Sequence, residues 1–168
     1  MSALDDQANR LEVAARAILD LRPRVEAGGP WPPAELFGTE DEASWNPPEL
    51  LAHVEEMLPF WLGELERILA GPSATPVPFG RVASDTIRIG VIGRDRTIPL
   101  RELFARVAAD SGRVAARLRE LGDAEAARLG VHPRVGELTV EQLVERFMTG
   151  HLEGHVVQLR EILESRGL

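Results

Sequence analysis

Four stretches of this chain repeat their apolar residues at helical spacing, and the segments between them are rich in proline and glycine. Long amphipathic helices joined by such breaks bury their stripes best against one another, so few architectures remain open. The first stretch runs from Ala3 to Ala27. Leu4, Leu11, Ile18 and Val25 recur at heptad spacing, Ala8, Ala14, Ala15 and Leu21 fill the same stripe, and Gly28-Gly29-Pro30 ends it. The second opens at Trp45-Asn46-Pro47-Pro48-Glu49-Leu50. Asn46 is placed as N-cap, Pro47 as the first helical residue and Glu49 at the capping-box position, with Trp45 and Leu50 as a hydrophobic staple. It continues through Val54, Leu58, Trp61, Leu65, Ile68 and Leu69 to Gly71. Pro59, which cannot donate to the Glu55 carbonyl, predicts a bend.

The third stretch spans Pro99 to Leu121, with Leu100, Leu103, Phe104, Val107, Val114 and Leu118 on one stripe and Gly122 as the stop. The fourth starts at Thr139, with Gln142 at the capping-box position and Leu138 and Leu143 as a second staple, and runs to Ser165. The expected fold is all-α, a four-helix bundle in one domain over residues 1–168. The connection from Gly71 to Ile98 can cross a whole bundle, which permits the second and third helices to run parallel and argues against a simple up-down-up-down order. Its alternating run Thr86-Ile87-Arg88-Ile89-Gly90-Val91-Ile92 reads as a short hairpin.

Composition removes several chemistries. With no cysteine there is no disulfide, thiolate metal site or cysteine nucleophile, so any metal must be held by His, Asp or Glu. No tyrosine is present, and all 19 basic residues are arginine, which excludes lysine Schiff-base chemistry. The net charge is −8 and the basic residues are scattered, against the concentrated positive face that nucleic acid requires. No run is long and apolar enough to span a membrane, and the acidic start Met1-Ser2-Ala3-Leu4-Asp5-Asp6 lacks signal-peptide character. A cytoplasmic location is the expectation.

Three of the four histidines fall on expected helices. His151 and His155 are four residues apart on the apolar face of the fourth helix, after Leu143, Phe147 and Met148 and before Leu159 and Ile162. His53 lies at the edge of the buried stripe of the second helix. Two imidazoles at this spacing and a third from a facing helix can share one ion, leaving a position open for a water or thiol that the ion acidifies. The same spacing also suits ordinary packed histidines. Gly150 and Gly154 flank the pair, giving room around it or close helix packing. Glu153 falls on the outer face, whereas Glu56, one turn after His53, is placed to hydrogen-bond a ligand or to act as a base, a position that equally suits an ordinary solvated helix carboxylate.

Three segments together resemble the DinB superfamily of DinB/YfiT-like metalloenzymes. They are Trp45-Asn46-Pro47-Pro48-Glu49-Leu50-Leu51-Ala52-His53-Val54-Glu55-Glu56, His132-Pro133-Arg134-Val135-Gly136-Glu137-Leu138-Thr139, and His151-x-x-x-His155-x-x-Gln158. The resemblance implies a bundle in up-down-down-up order, with His53, His151 and His155 as a metal triad and His132 in a loop. It implies zinc or nickel as the ion, a homodimer, and activities that include transferases and isomerases using mycothiol, bacillithiol or glutathione. Leu152 and Gly154 depart from the family, many of whose members carry an acid and a further histidine there.

The expectation is therefore a metal-dependent transferase that conjugates a low-molecular-weight thiol to a small electrophile, with the Gly71–Ile98 and Gly28–Trp45 segments walling the pocket and an arginine such as Arg81 near the thiol's carboxylates. The alternatives are a metal-dependent hydrolase with Glu56 as base, and a non-catalytic metal-binding stress-response bundle.

Overall fold

The computed structural model describes residues 2–36 and 44–168. Helix α1 (Ala3–Asp20) starts at a reciprocal cap: Ser2 Oγ accepts from the Asp5 amide at 3.1 Å and Asp5 Oδ2 accepts from the Ser2 amide at 2.7 Å. The helix expected to reach Ala27 breaks at Leu21, and α2 (Arg22–Ala27) follows. Pro23, in the first turn of α2, has no amide to continue the ladder of α1, which accounts for the break.

Helix α3 (Pro47–Ala70) begins where the sequence places it and stays helical through Pro59. Glu49 does more than cap it. The carboxylate is buried, accepting from the Asn46 amide at 3.2 Å, the Ala34 amide at 2.9 Å and Arg96 at 3.2 Å. Asn46 Nδ2 donates to the Pro32 carbonyl at 2.7 Å. These bonds hold the chain before α3 against it.

The Thr86–Ile92 run is not a hairpin but lies in helix α4 (Thr86–Asp95). Asp85 Oδ1 accepts from the Arg88 amide at 2.9 Å, and Arg88, Ile92 and Asp95 are the buried positions, a helical spacing that outcompetes the alternation of Ile87, Ile89 and Val91. Helix α5 (Leu100–Arg119) and the short α6 (Asp123–Ala126) follow.

The all-α expectation is corrected by a small sheet in an otherwise mostly helical chain. Strand β1 (Val77–Pro78) pairs in parallel with β2 (Leu129–His132), which pairs antiparallel with β3 (Gly136–Thr139). His132, expected in a loop, therefore ends a strand. Burial alternates along β2, with Gly130 and His132 facing inward and Leu129 and Val131 exposed.

The last helix is broken differently from expectation. Thr139 caps α7 (Val140–Val144) with Gln142 as its reciprocal partner. A π-turn over Glu145–Thr149 then leads into α8 (Gly150–Glu164). The core gathers Leu11 and Ile18 of α1, Leu58 and Leu65 of α3, Val107 and Val114 of α5, and Leu152 and Leu159 of α8. Ion pairs lace the bundle outside that core. Glu55–Arg106 and Glu66–Arg117 join α3 to α5, Glu12–Arg119 joins α1 to α5, and Arg10 reaches Glu145 and Glu153. Among the described residues no helix is long and apolar enough to cross a membrane.

Candidate metal centre

His53 on α3 and His155 on α8 are buried, and His151 at the start of α8 is half-buried. The three rings come together. Their ligand nitrogens lie within 4.8 Å of one another, and His53 Nε2 is 3.3 Å from His151 Nε2. Two nitrogens bound to one tetrahedral ion at 2.1 Å would stand about 3.4 Å apart, so the spacing fits a shared ion.

The phase of His151 and His155 is set by the π-turn. The Gly150 amide donates to the Glu145 carbonyl, one residue further back than in an α-helix. A Cβ on Gly150 would lie 2.7 Å from that oxygen, so glycine is what the turn admits. Arg10 grips both sides of the turn, bonding Glu145 at 2.7 and 3.1 Å and Glu153 at 3.0 and 2.7 Å. Glu153 thus sits on the outer face, as expected. Of the two departures from the family pattern, Leu152 is in the core and Gly154 is exposed.

The environment orients the rings and keeps His53 and His151 neutral. Gln158 Oε1 is 2.9 Å from His155 Nδ1. Oε1 can only accept, so the proton sits on Nδ1 and Nε2 is the atom that can bind an ion. Trp45 packs edge-on against His53, with centroids 5.4 Å apart. Burial first, then the charges of His155, Arg88 and His151, holds His53 well below the usual imidazole range. Burial, followed by His155 and Arg88, pushes His151 down to about 3. Converging imidazoles, two of them held neutral at neutral pH, are the donor chemistry a divalent ion requires.

A cavity of about 140 Å³ opens beside His53 and His151, lined also by Trp61, Phe147, Arg81 and Arg88. Arg81 and Arg88 come from the Gly71–Ile98 connection, which walls the pocket as expected. Of the Gly28–Trp45 segment, residues 37–43 lie outside the described residues. Trp61 and Phe147 stack with centroids 4.3 Å apart. Arg88 is buried, donating to the Ala83 carbonyl at 3.0 Å and standing 3.5 Å from His53 Nδ1. Sequence reasoning missed Arg88, because the run around it was read as strand. The cap signal of Asp85 followed by Arg88, Ile92 and Asp95 at helical spacing would have placed it.

Glu56 is on α3 as expected, but it is not among the residues lining the cavity. Its carboxylate pairs with Arg81, Oε2 at 2.6 Å, and the Arg81 guanidinium also covers the Phe60 ring. Burial raises its pKa against the opposing pull of Arg81. His132 is held apart from the triad. Its Nε2 donates to the Arg81 carbonyl at 3.1 Å, its Nδ1 accepts from the Arg134 amide at 3.2 Å, and its ring stacks on Phe147. Gly80, at φ +86, lets the chain pass directly over that ring.

Comparison with known proteins bears on the fold and the family. No curated protein matches the chain. Among solved structures it is similar to YfiT from Bacillus subtilis, described as "a probable metal-dependent hydrolase with an unusual four-helix bundle topology". The TM-score is 0.73 at 18% identity, covering 98% of this chain and 87% of YfiT, a likeness of fold. The DinB superfamily matches residues 4–159, and over that span, which holds all three converging histidines, the chain belongs to the DinB superfamily.

Proposed function

We propose that the chain is a metal-dependent enzyme in which His53, His151 and His155 hold one divalent ion, zinc or nickel. It activates a low-molecular-weight thiol, of the mycothiol type, for transfer to a small electrophile. The observation that carries this reading is the convergence of three imidazoles at the side of a cavity that two arginines also line. A bound divalent ion supplies a Lewis acid that lowers the pKa of a thiol placed beside it. The rest is the work of the side chains. Trp61 and Phe147 give the cavity a flat apolar wall that excludes water. Arg81 and Arg88 make it favourable to anions, such as the carboxylates of a small thiol.

The likeness to YfiT favours a second reading, a hydrolase with Glu56 as base. Glu56 would first have to leave Arg81, which weighs against it. The test is turnover by the zinc- or nickel-loaded protein of a chromogenic electrophile with and without mycothiol, bacillithiol or glutathione, beside an ester and an amide substrate. Turnover that needs both thiol and ion supports transfer. Ester or amide cleavage without thiol, abolished in Glu56→Gln, would replace it with the hydrolase. No turnover together with a large loss of melting temperature on chelation would mark a non-catalytic site.

The same reading takes the long helices in up-down-down-up order. In its support, Glu55–Arg106 and Glu66–Arg117 step in the same direction along α3 and α5. It also places the chain in the cytoplasm, where small thiols are kept reduced.

A further inference from the structure

We propose that the cavity between α1 and α7 binds a small organic dication bearing primary ammonium groups, at a site separate from the metal centre. The cavity encloses about 460 Å³, a size that suits a small molecule. Its walls include Asp6, Gln7 and Arg10 of α1, Glu141 of α7, and Glu145 and Arg146 of the π-turn, and it shares no lining residue with the cavity beside the histidines. Gln7 carries the strongest sign of a ligand. It is only 5% exposed, and its Nε2 donates to the Glu141 carbonyl at 3.2 Å. That carbonyl can only accept, so the amide cannot be turned round and Oε1 is the atom left over. Oε1 is buried and has no hydrogen-bond partner among the described residues, a rare condition that a donor in the cavity would relieve.

Charge decides which donor. Asp6 and Glu141 are exposed and enter none of the ion pairs among the described residues, whereas Glu145 is matched by Arg10. The guanidinium of Arg146 lies 5.8 Å from the centroid of the Phe147 ring. Carboxylates without a partner beside an orphaned acceptor favour a cation that also carries N–H groups. A bare divalent ion does not fit, because among the described residues only the three histidines bring ligand atoms close enough together to share one. An ammonium group presents three donors on one charge, and two such groups on one chain answer both carboxylates.

The test is calorimetric titration of the full chain with 1,4-diaminobutane at low ionic strength, with chelator present so that no amine meets a metal ion. The wild type should bind the diamine at a single site, and the affinity should fall as salt is raised. 4-Aminobutyrate, in which a carboxylate replaces one ammonium, should bind about tenfold more weakly. Gln7→Leu should also cost about tenfold, the loss expected for a hydrogen bond to a charged group. Asp6→Asn and Glu141→Gln should each cost up to about fivefold, as exposed charges do. Circular dichroism checks the fold of Gln7→Leu, and if that variant is unfolded the two surface variants decide. A wild type that takes up no diamine overturns the proposal, and so does binding that the folded variants leave unchanged. Equal or tighter binding of 4-aminobutyrate overturns it as well, since the site would then be one for a zwitterion that uses Arg146.

Discussion

The Gly150 amide donates to the carbonyl of Glu145, and the position a Cβ would take on Gly150 is 2.7 Å from that oxygen. The π-turn closed by this bond inserts one extra residue before His151. Without it the two terminal histidines would be rotated by about 100° relative to α7, since each helical residue turns the chain by that amount. A missing side chain thereby sets where two imidazoles point.

Gly150→Ala should consequently keep the bundle but loosen the site. The methyl group must displace the Glu145 carbonyl, and the ring of His151 moves with the backbone. We expect metal affinity to fall about tenfold or more, since misplacing a ligand by a fraction of an ångström is felt directly in binding. Competition against a chromogenic chelator would measure it. Unchanged affinity would mean that the turn does not set the ligand geometry.

Gln158→Leu removes the acceptor for His155 Nδ1 while preserving helix propensity and approximate volume. With its tautomer and orientation no longer fixed, His155 should bind more weakly, and metal affinity should drop by about 10- to 100-fold. The chelator titration serves again, with far-ultraviolet circular dichroism as the control for folding.

The pH dependence of the metal-free protein has a definite sign. Folding holds His151 down to about 3 and His53 well below the usual range, both chiefly by burial. The unfolded chain takes up protons at these positions from about pH 6.5 downward and the folded chain does not. Stability should therefore be level above neutrality and decline as pH falls from 6.5 toward 3, by at most about 1.4 kcal/mol per pH unit for each histidine. Denaturant midpoints with chelator present, at pH 7.5, 6 and 5, would test this. In a His53→Gln, His151→Gln double variant the decline should flatten.

Glu49→Gln tests the anchor at the start of α3. The carboxylate is buried and joins Ala34, Asn46 and Arg96. Replacing it leaves Arg96, itself mostly buried, without its ionic partner, and we expect a loss of about 2–3 kcal/mol. Denaturant unfolding would show a lower midpoint with an unchanged slope.

Much of the site was legible because its determinants are local. Asn46, Pro47 and Glu49 fix the start of α3 within one turn, and that start fixes His53. The spacing of His151 and His155 needs only a helix. What escaped sequence reasoning depends on contacts between distant segments or on competition between two periods. Thr86–Ile92 alternates well enough for a strand, and the cap at Asp85 with burial of Arg88 against the site decides for a helix. The sheet joins Val77 to Gly130, a pairing that no local pattern encodes. Pro23 divided α1 from α2 although the heptad of Leu4, Leu11, Ile18 and Val25 runs across it. Glu56 was placed correctly on its helix, but its engagement by Arg81 depends on the path of a connection more than twenty residues away. The π-turn left no periodic trace beyond the glycine it needs.

Convergence of His53, His151 and His155 is most directly tested by elemental analysis of the purified chain beside a His155→Ala variant of equal folded content. About one divalent ion per chain is expected in the wild type and little in the variant, because one of three ligands is lost. Equal metal in both proteins, or none bound by the wild type after incubation with zinc or nickel, would contradict it.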